Sequence, residues 1–484
     1  MTYRGPFSPW AMLVAILLGT FVGTLGNSVA NVALPAVMAE FAVPLSSALW
    51  VVTLYTLLFA VLMPVCGYLG DLYGQRRMYL LGMGLFTLAS LGSGLAPSFP
   101  WLLGSRALQG IAVAPTLPAV MTIISRSFSS ARRGRAVGFW ALVNGAGHAL
   151  GPPLSGFLTQ HLGWRSVFLI GVPLCFLNLF LVWWLVPPDN AHATRGFDFG
   201  GAAALTTTAL GLMLALTQSA RWGWSTPGSL LLWGLTLAAL VVFVVLEQRL
   251  ASPSQREGKR SRASECKGKR SDAFVDLALF ANRNYAAATA VIAAQLFCLF
   301  GLILALPVFL IRVQGWSSQA AGLLILPLPL TMAVIAPFAG QLADARGSRW
   351  TCTLGMGVVA LAGLAMLGLR PGLDQSIPWW GVVGSLSVVG LGMGLTQSPA
   401  AAAVTHVVRQ EQLGAATGIF HMCRFVSGTL GSTIFGLILE GHAAGVAAGF
   451  GRALMVLFVL AAMAVLAAQG LPGRQLGPTM SAMP

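Results

Sequence analysis

Charge is what this chain has least of. Asp, Glu, Lys and Arg together make 8% of its 484 residues, against about 25% in an ordinary soluble protein. A soluble fold cannot shelter a 56% hydrophobic composition and a mean hydropathy of +0.80 behind so few charges. Soluble globular enzymes, disordered tails and fibrous proteins are thereby excluded. Cysteine is scarce too. Cys66, Cys175, Cys266, Cys298, Cys352 and Cys423 form no CxxC pair, so neither a metal site nor a disulfide framework is expected. No GxxxxGK[ST], HExxH or GxSxG sequence occurs, which argues against an ATP-driven pump and against an intramembrane enzyme with those signatures. Acids are absent from the middle of every apolar run: those nearest, such as Glu40, Asp198, Glu247 and Glu440, sit at run ends.

What the chain has instead is fourteen apolar runs, at about residues 11–35, 47–69, 78–96, 101–125, 135–159, 164–186, 199–218, 228–247, 285–311, 319–342, 351–369, 378–404, 413–439 and 450–469. Each can cross a hydrocarbon core of about 30 Å as a helix, and continuous runs of this length do not suit a β-barrel. Only helices satisfy their own backbone polar groups there. The first run is longer than a signal-peptide core and is followed by thirteen like it, so it is expected to be a span. The chain is thus expected to be an all-α polytopic membrane protein.

Basic residues predict its orientation. With the N-terminus and every even-numbered loop inside, 21 of the 28 Lys and Arg fall on the cytoplasmic face. The other seven (Arg106, Arg165, Arg221, Arg312, Arg370, Arg424 and Arg452) lie outside or within spans. That bias predicts cytoplasmic termini. The longest loop, roughly 248–284, carries all three lysines between Ser252 and Asp272 and reads as a flexible basic linker. No aromatic residue interleaves that stretch, so the net charge of +15 speaks for the lipid bilayer as partner and against nucleic acid.

The sequence repeats itself. Gly67-Tyr-Leu-Gly-Asp71-Leu-Tyr-Gly74-Gln-Arg76-Arg77 follows run 2, and Gly340-Gln-Leu-Ala-Asp344-Ala-Arg-Gly347-Ser-Arg349-Trp350 follows run 10. Ala136, Gly138, Leu150, Gly151 and Gly156 of run 5 match Ala416, Gly418, Leu430, Gly431 and Gly436 of run 13. Ala33-Leu34-Pro35 recurs as Ala305-Leu306-Pro307. Runs 1–6 and 9–14 are therefore two related halves, with runs 7–8 inserted. Such halves imply alternating access to a site between them.

These residues give the chain a family resemblance. Gly67-x-Leu-x-Asp71-x-x-Gly74-x-Arg76-Arg77 is similar to the loop 2–3 motif of the major facilitator superfamily. Arg106-x-x-Gln109-Gly110 resembles its RxxQG motif. Gly147-x-x-x-Gly151-Pro152-x-x-x-Gly156 resembles its antiporter motif, and Asn31-Val-Ala-Leu-Pro35 the NVALP signature of its fourteen-helix drug:proton antiporter branch. The resemblance covers nearly the whole chain and implies a major facilitator fold of 14 transmembrane helices in a 6 + 2 + 6 arrangement. The divisions expected are a six-helix bundle over 1–190, two inserted helices over 191–248, a linker over 249–283, a second bundle over 284–470 and a tail over 471–484.

The resemblance also implies a function: export of small, drug-like molecules by alternating access with proton antiport, in a bacterial cytoplasmic membrane, by a monomer without cofactor or metal. A carrier for a specific metabolite or anion is the alternative, and a non-transporting receptor a remoter one. Two departures stand out. The branch usually places an acid five residues before the Asn of NVALP, where this chain has Gly26, and an Arg after the motif's Asp, where it has Leu72.

Helical spacing nominates the pathway residues. Thr20, Thr24, Asn27 and Asn31 share a face of helix 1, Arg106, Gln109 and Thr116 a face of helix 4, Asn144 and His148 a face of helix 5, and His421 and Arg424 a face of helix 13. Exposing them to lipid would cost several kcal/mol, so they should face the interior. Two arginines without an acid predict a positive cavity that favours anionic or neutral cargo. The glycines of the loop motif, with Asp71 beside a helix end or an Arg, are expected to form a state-dependent latch, and Gly151-Pro152 a bend in helix 5. With Gly26 unable to carry a proton, His148 is the expected substitute, ahead of His421 beside Arg424.

Overall fold

In the computed structural model the described residues are 8–188, 198–257, 278–368, 378–409, 412–440 and 445–473, and none of them is in a β-strand. Every apolar run overlies a helix or a broken helix pair, and we number them accordingly. They are α1 (Pro9–Ser28, then Ala30–Phe41), α2 (Trp50–Tyr73), α3 (Gln75–Gly94), α4 (Phe99–Val113, then Thr116–Ser127), α5 (Ser130–Leu162), α6 (Arg165–Leu169, then Gly171–Leu185) and α7 (Phe199–Trp222). After them come α8 (Pro227–Glu257), α9 (Arg283–Arg312), α10 (Ser318–Ile325, then Pro327–Arg346), α11 (Ser348–Gly368), α12 (Trp379–Val407), α13 (Leu413–Glu440) and α14 (Gly445–Ala468). Twelve of them are long and apolar enough to cross a membrane. The remaining two, α3 and α5, have the length, but basic residues at their starts and internal glycines and polar side chains dilute their hydropathy.

The internal repeat is visible in the packing. In the first half α1 lies on α5 and α6, α2 on α4, and α3 on α4 and α6. In the second half α9 lies on α13 and α14, α10 on α12, and α11 on α12 and α14. These are the same pairings. The halves meet chiefly through two equivalent contacts, α2 against α13 and α10 against α5, with smaller ones of α12 on α5 and α13 on α4. The inserted α7 packs on α8 and touches both α2 and α13, so it sits beside one of those two seams. The outer face of α8 exposes Leu230, Leu231, Leu235, Leu237 and Val241, as lipid contact requires.

One expectation changes. Helix α8 continues through Glu257, so the start of the expected linker is helical, because a long helix need not stop where its apolar run does. Residues 258–277, the rest of the basic stretch, lie outside the described residues, as does the tail from 474 on. At the end of the bundle away from the loop motifs, Glu40 is clamped by both terminal nitrogens of Arg165 at 2.6 and 2.7 Å and by Trp164 Nε1 at 2.7 Å. Those donors hold its carboxyl below the usual carboxylate range.

Candidate functional site

A cavity of about 520 Å³, counting its opening, lies where α1, α2, α4, α5 and α13 meet. The nominated face of α1 supplies Thr20, Thr24 and Asn27. Asn27 Oδ1 accepts a hydrogen bond from Thr56 Oγ1 at 3.3 Å. Asn31 is not part of this lining. Helix α1 breaks at Val29, where a new helix starts, and Asn31 is exposed.

From α5 come Asn144 and His148, one turn apart, and from α13 Arg424. His148 Nδ1 hydrogen-bonds the Asn144 carbonyl at 2.9 Å. The sequence pattern missed the aromatic walls: Tyr55 and Phe59 of α2, Trp140 of α5 and Phe425 of α13. Phe59 meets Phe425 edge-on with ring centroids 5.3 Å apart. Inside an apolar run an aromatic residue gives no signal that separates cavity from core.

Arg106 does not line this cavity. It is completely buried one layer behind, its guanidinium 4.5 Å from the Tyr55 ring centroid. Arg106 Nε donates to the Val51 carbonyl at 2.8 Å, and Nη1 donates to the Gly26 carbonyl at 3.2 Å and to Gln109 Oε1 at 2.6 Å. Gln109 passes the network on to Ser90 Oγ at 2.8 Å. Arg106 therefore ties α1, α2 and α4 together, and the backbone of Gly26 is one of its acceptors. The common face expected for Arg106, Gln109 and Thr116 is broken because α4 restarts after Val113; Thr116 faces the cavity and Gln109 a separate small pocket behind it.

His421 is 1% exposed and lies against Trp140, ring centroids 5.8 Å apart. Among the described residues neither of its ring nitrogens has a hydrogen-bond partner. It lies beside the cavity and does not line it.

The two loop motifs form matching clasps across the seams. Asp71 Oδ1 and Oδ2 accept the backbone N–H groups of Gly414 and Ala415, each at 3.0 Å, at the start of α13. Gln75 Nε2 adds a third bond to Asp71 at 2.8 Å. Asp344 Oδ1 and Oδ2 accept the N–H groups of Gly134 and Arg135 near the start of α5, at 2.9 and 3.0 Å. A helix N-terminus suits a carboxylate through its oriented N–H groups and positive dipole end. The backbones touch beneath each clasp: a Cβ on Gly67 would strike the Gly414 carbonyl, and one on Gly340 the Gly134 carbonyl. Gly74 and Gly347 end α2 and α10 at φ 102° and 91°, which glycine adopts without strain.

The basic pair stands outside the clasp. Arg76 reaches the Trp183 carbonyl on α6, and Arg77 is exposed. Leu72, at the position where the family pattern has Arg, is buried in a cluster with Tyr68, Phe243, Ala415 and Ile419.

The antiporter-type glycines bring α5 onto α1. Gly147 packs against Thr24 and Gly151 against Ser28, whereas Gly156 meets nothing closely. Pro152 cannot donate to the carbonyl one turn back, that of His148. Ser28 Oγ takes up that carbonyl at 2.9 Å. Among the described residues no group of three or more His, Cys, Asp or Glu is placed to hold a metal.

The comparisons agree with this architecture. A family model described as Major Facilitator Superfamily matches residues 16–206 and 199–432. The multidrug resistance protein Stp of Mycobacterium tuberculosis (strain CDC 1551 / Oshkosh) is 31% identical over 88% of this chain and 75% of its own. The tetracenomycin C resistance and export protein of Streptomyces glaucescens is 29% identical over 90% of this chain and 76% of its own. In the solved structures, the human organic anion transporter MFSD10 (TETRAN) shares the fold at a TM-score of 0.66 and 14% identity, covering 96% of this chain and all of that one.

Proposed function

Since the chain belongs to the Major Facilitator Superfamily, and is thus a multi-pass membrane transporter and not an enzyme, we propose that it exports small, drug-like molecules from a bacterial cell. The cavity between the halves carries this reading: it is walled by aromatic rings and reached by polar groups from four helices. The relatives named for multidrug resistance and for antibiotic export support the direction. Fourteen crossings of the cytoplasmic membrane, both termini inside, and a monomeric carrier complete the reading.

Alternating access assigns the clasps their role. Both join the halves at the end of the bundle that bears the loop motifs, and both must part for the cavity to open there. Under the expected topology that end is cytoplasmic, so the clasped form is the outward-facing one. Protons are the proposed counter-ion, and His148 their carrier: among the described residues it is the imidazole that lines the cavity.

Two measurements test this. A resistance panel in a host stripped of its own exporters should show raised tolerance to some compounds, and purified protein in liposomes should move them. In the same liposomes His148→Gln should lose pH-gradient-driven efflux and keep downhill exchange. Absence of any flux would end the transporter reading of the cavity; unchanged pH dependence in His148→Gln would end the proton assignment.

A further inference from the structure

We propose that the cavity contains an anion seat at Arg424, so that the cargo is an aromatic molecule bearing an acidic group. The inference rests on the cavity being the cargo site and adds the chemical class of what enters it.

A guanidinium is costly to bury unless it is paired and hydrogen-bonded. Arg424 is 5% exposed, lines the cavity, and among the described residues makes no ion pair or hydrogen bond. Its Nε is buried without an acceptor. Arg106, completely buried, reaches three acceptors through Nε and Nη1 and leaves only Nη2 without one among the described residues; Arg424 reaches none. Among the described residues the cavity lining offers Arg424 no countercharge: it has no Asp or Glu, and the titratable groups nearby are the imidazoles of His148 and His421. The missing partner must therefore come from outside the protein. An acid group of the cargo fits, since a guanidinium fork binds carboxylates and related oxyanions with paired hydrogen bonds.

The walls supply the rest of the specificity. Phe425 lies beside the guanidinium, 5.6 Å from its carbon to the ring centroid, and Tyr55, Phe59 and Trp140 line the same space. Aromatic surfaces at this spacing favour a flat ring system placed by offset or edge-on contacts. Trp140 Nε1 is a further donor with no acceptor among the described residues.

Three probes with one ring system separate the contributions: 2-naphthoate, 2-naphthamide and 2-naphthylmethylammonium, titrated calorimetrically into purified full-length protein in nanodiscs. The wild type should bind naphthoate at least tenfold more tightly than the amide, and the ammonium compound most weakly. Arg424→Gln should bring naphthoate down to the amide's affinity while the amide changes less than threefold, which shows that the cavity is still formed. Arg424→Lys should restore part of the preference. Equal binding of naphthoate and amide by wild type, no binding of naphthoate, or a preference that survives in Arg424→Gln would overturn the proposal. The export reading fails separately, by absence of flux or resistance, whichever way the probes bind.

Discussion

The clasp at Asp71 can be tested quantitatively. Asp71→Asn keeps the side-chain shape and removes the charge. The bonds that depend on conformation are the two from Gly414 and Ala415 across the seam. The bond from Gln75 lies within one half and persists when the halves part. A hydrogen bond to a charged group contributes about 1.5–3 kcal/mol, and a neutral one about 1 kcal/mol. An Asn oxygen can still accept one N–H, but its amide then points donors at the other. The clasped state should lose about 2–4 kcal/mol. At about 1.4 kcal/mol per factor of ten, that shifts the equilibrium by roughly 30- to 1000-fold toward the open seam. Spin labels at Tyr73 and Arg409, both exposed and at the motif end of opposite halves, report the populations by distance measurement. Asp344 is less buried and among the described residues has no partner equivalent to Gln75, so Asp344→Asn should shift the populations less. A change under threefold in Asp71→Asn, or a larger one in Asp344→Asn, would refute the reasoning.

Further outcomes follow from the same contacts. Gly67→Ala and Gly340→Ala should each push the seam apart, at a cost of about 1–3 kcal/mol for the overpacked contact, and the same labels should report open populations in correctly folded protein. Arg424→Gln removes an unpaired buried charge, so the unfolding temperature in detergent should rise by a few degrees even as anion binding falls. Arg106→Ala should insert in the membrane yet transport poorly, and Arg106→Lys should not rescue it, because one ammonium cannot reach the carbonyls of Gly26 and Val51 together with Gln109; wild-type flux in a well-expressed variant would contradict this. Ser28→Ala leaves the carbonyl that Pro152 frees without its donor, and should cost about 1–2 kcal/mol of stability in thermal unfolding.

The helices and the twofold repeat were legible in the sequence because lipid admits little else: a run of about twenty apolar residues has one structural solution, and Gly67–Arg77 against Gly340–Trp350 marks the repeat. The cavity was legible only in part. Thr20, Thr24, Asn27, Asn144, His148 and Arg424 converge as helical spacing suggests. Spacing fails where helices break. The restart after Val29 takes Asn31 away, and the restart after Val113 separates Arg106 and Gln109 from Thr116. The clasp partners were hidden for a different reason: Gly134 and Gly414 act through backbone N–H groups, which no residue type advertises.

The unpaired Arg424 also bears on how the carrier senses voltage. Loaded with an anion, the site is neutral; empty, it is positive. During export the loaded form therefore swings outward almost indifferent to the membrane potential. The empty form, returning inward, is drawn by the negative interior, by up to about 2.3 kcal/mol per 100 mV for one charge crossing the full field. A proton carried on His148 would ride that same return limb and add to its pull. The resting potential would then act on the reset of the carrier instead of on the cargo-bearing step, and the current generated by transport would belong to the empty protein.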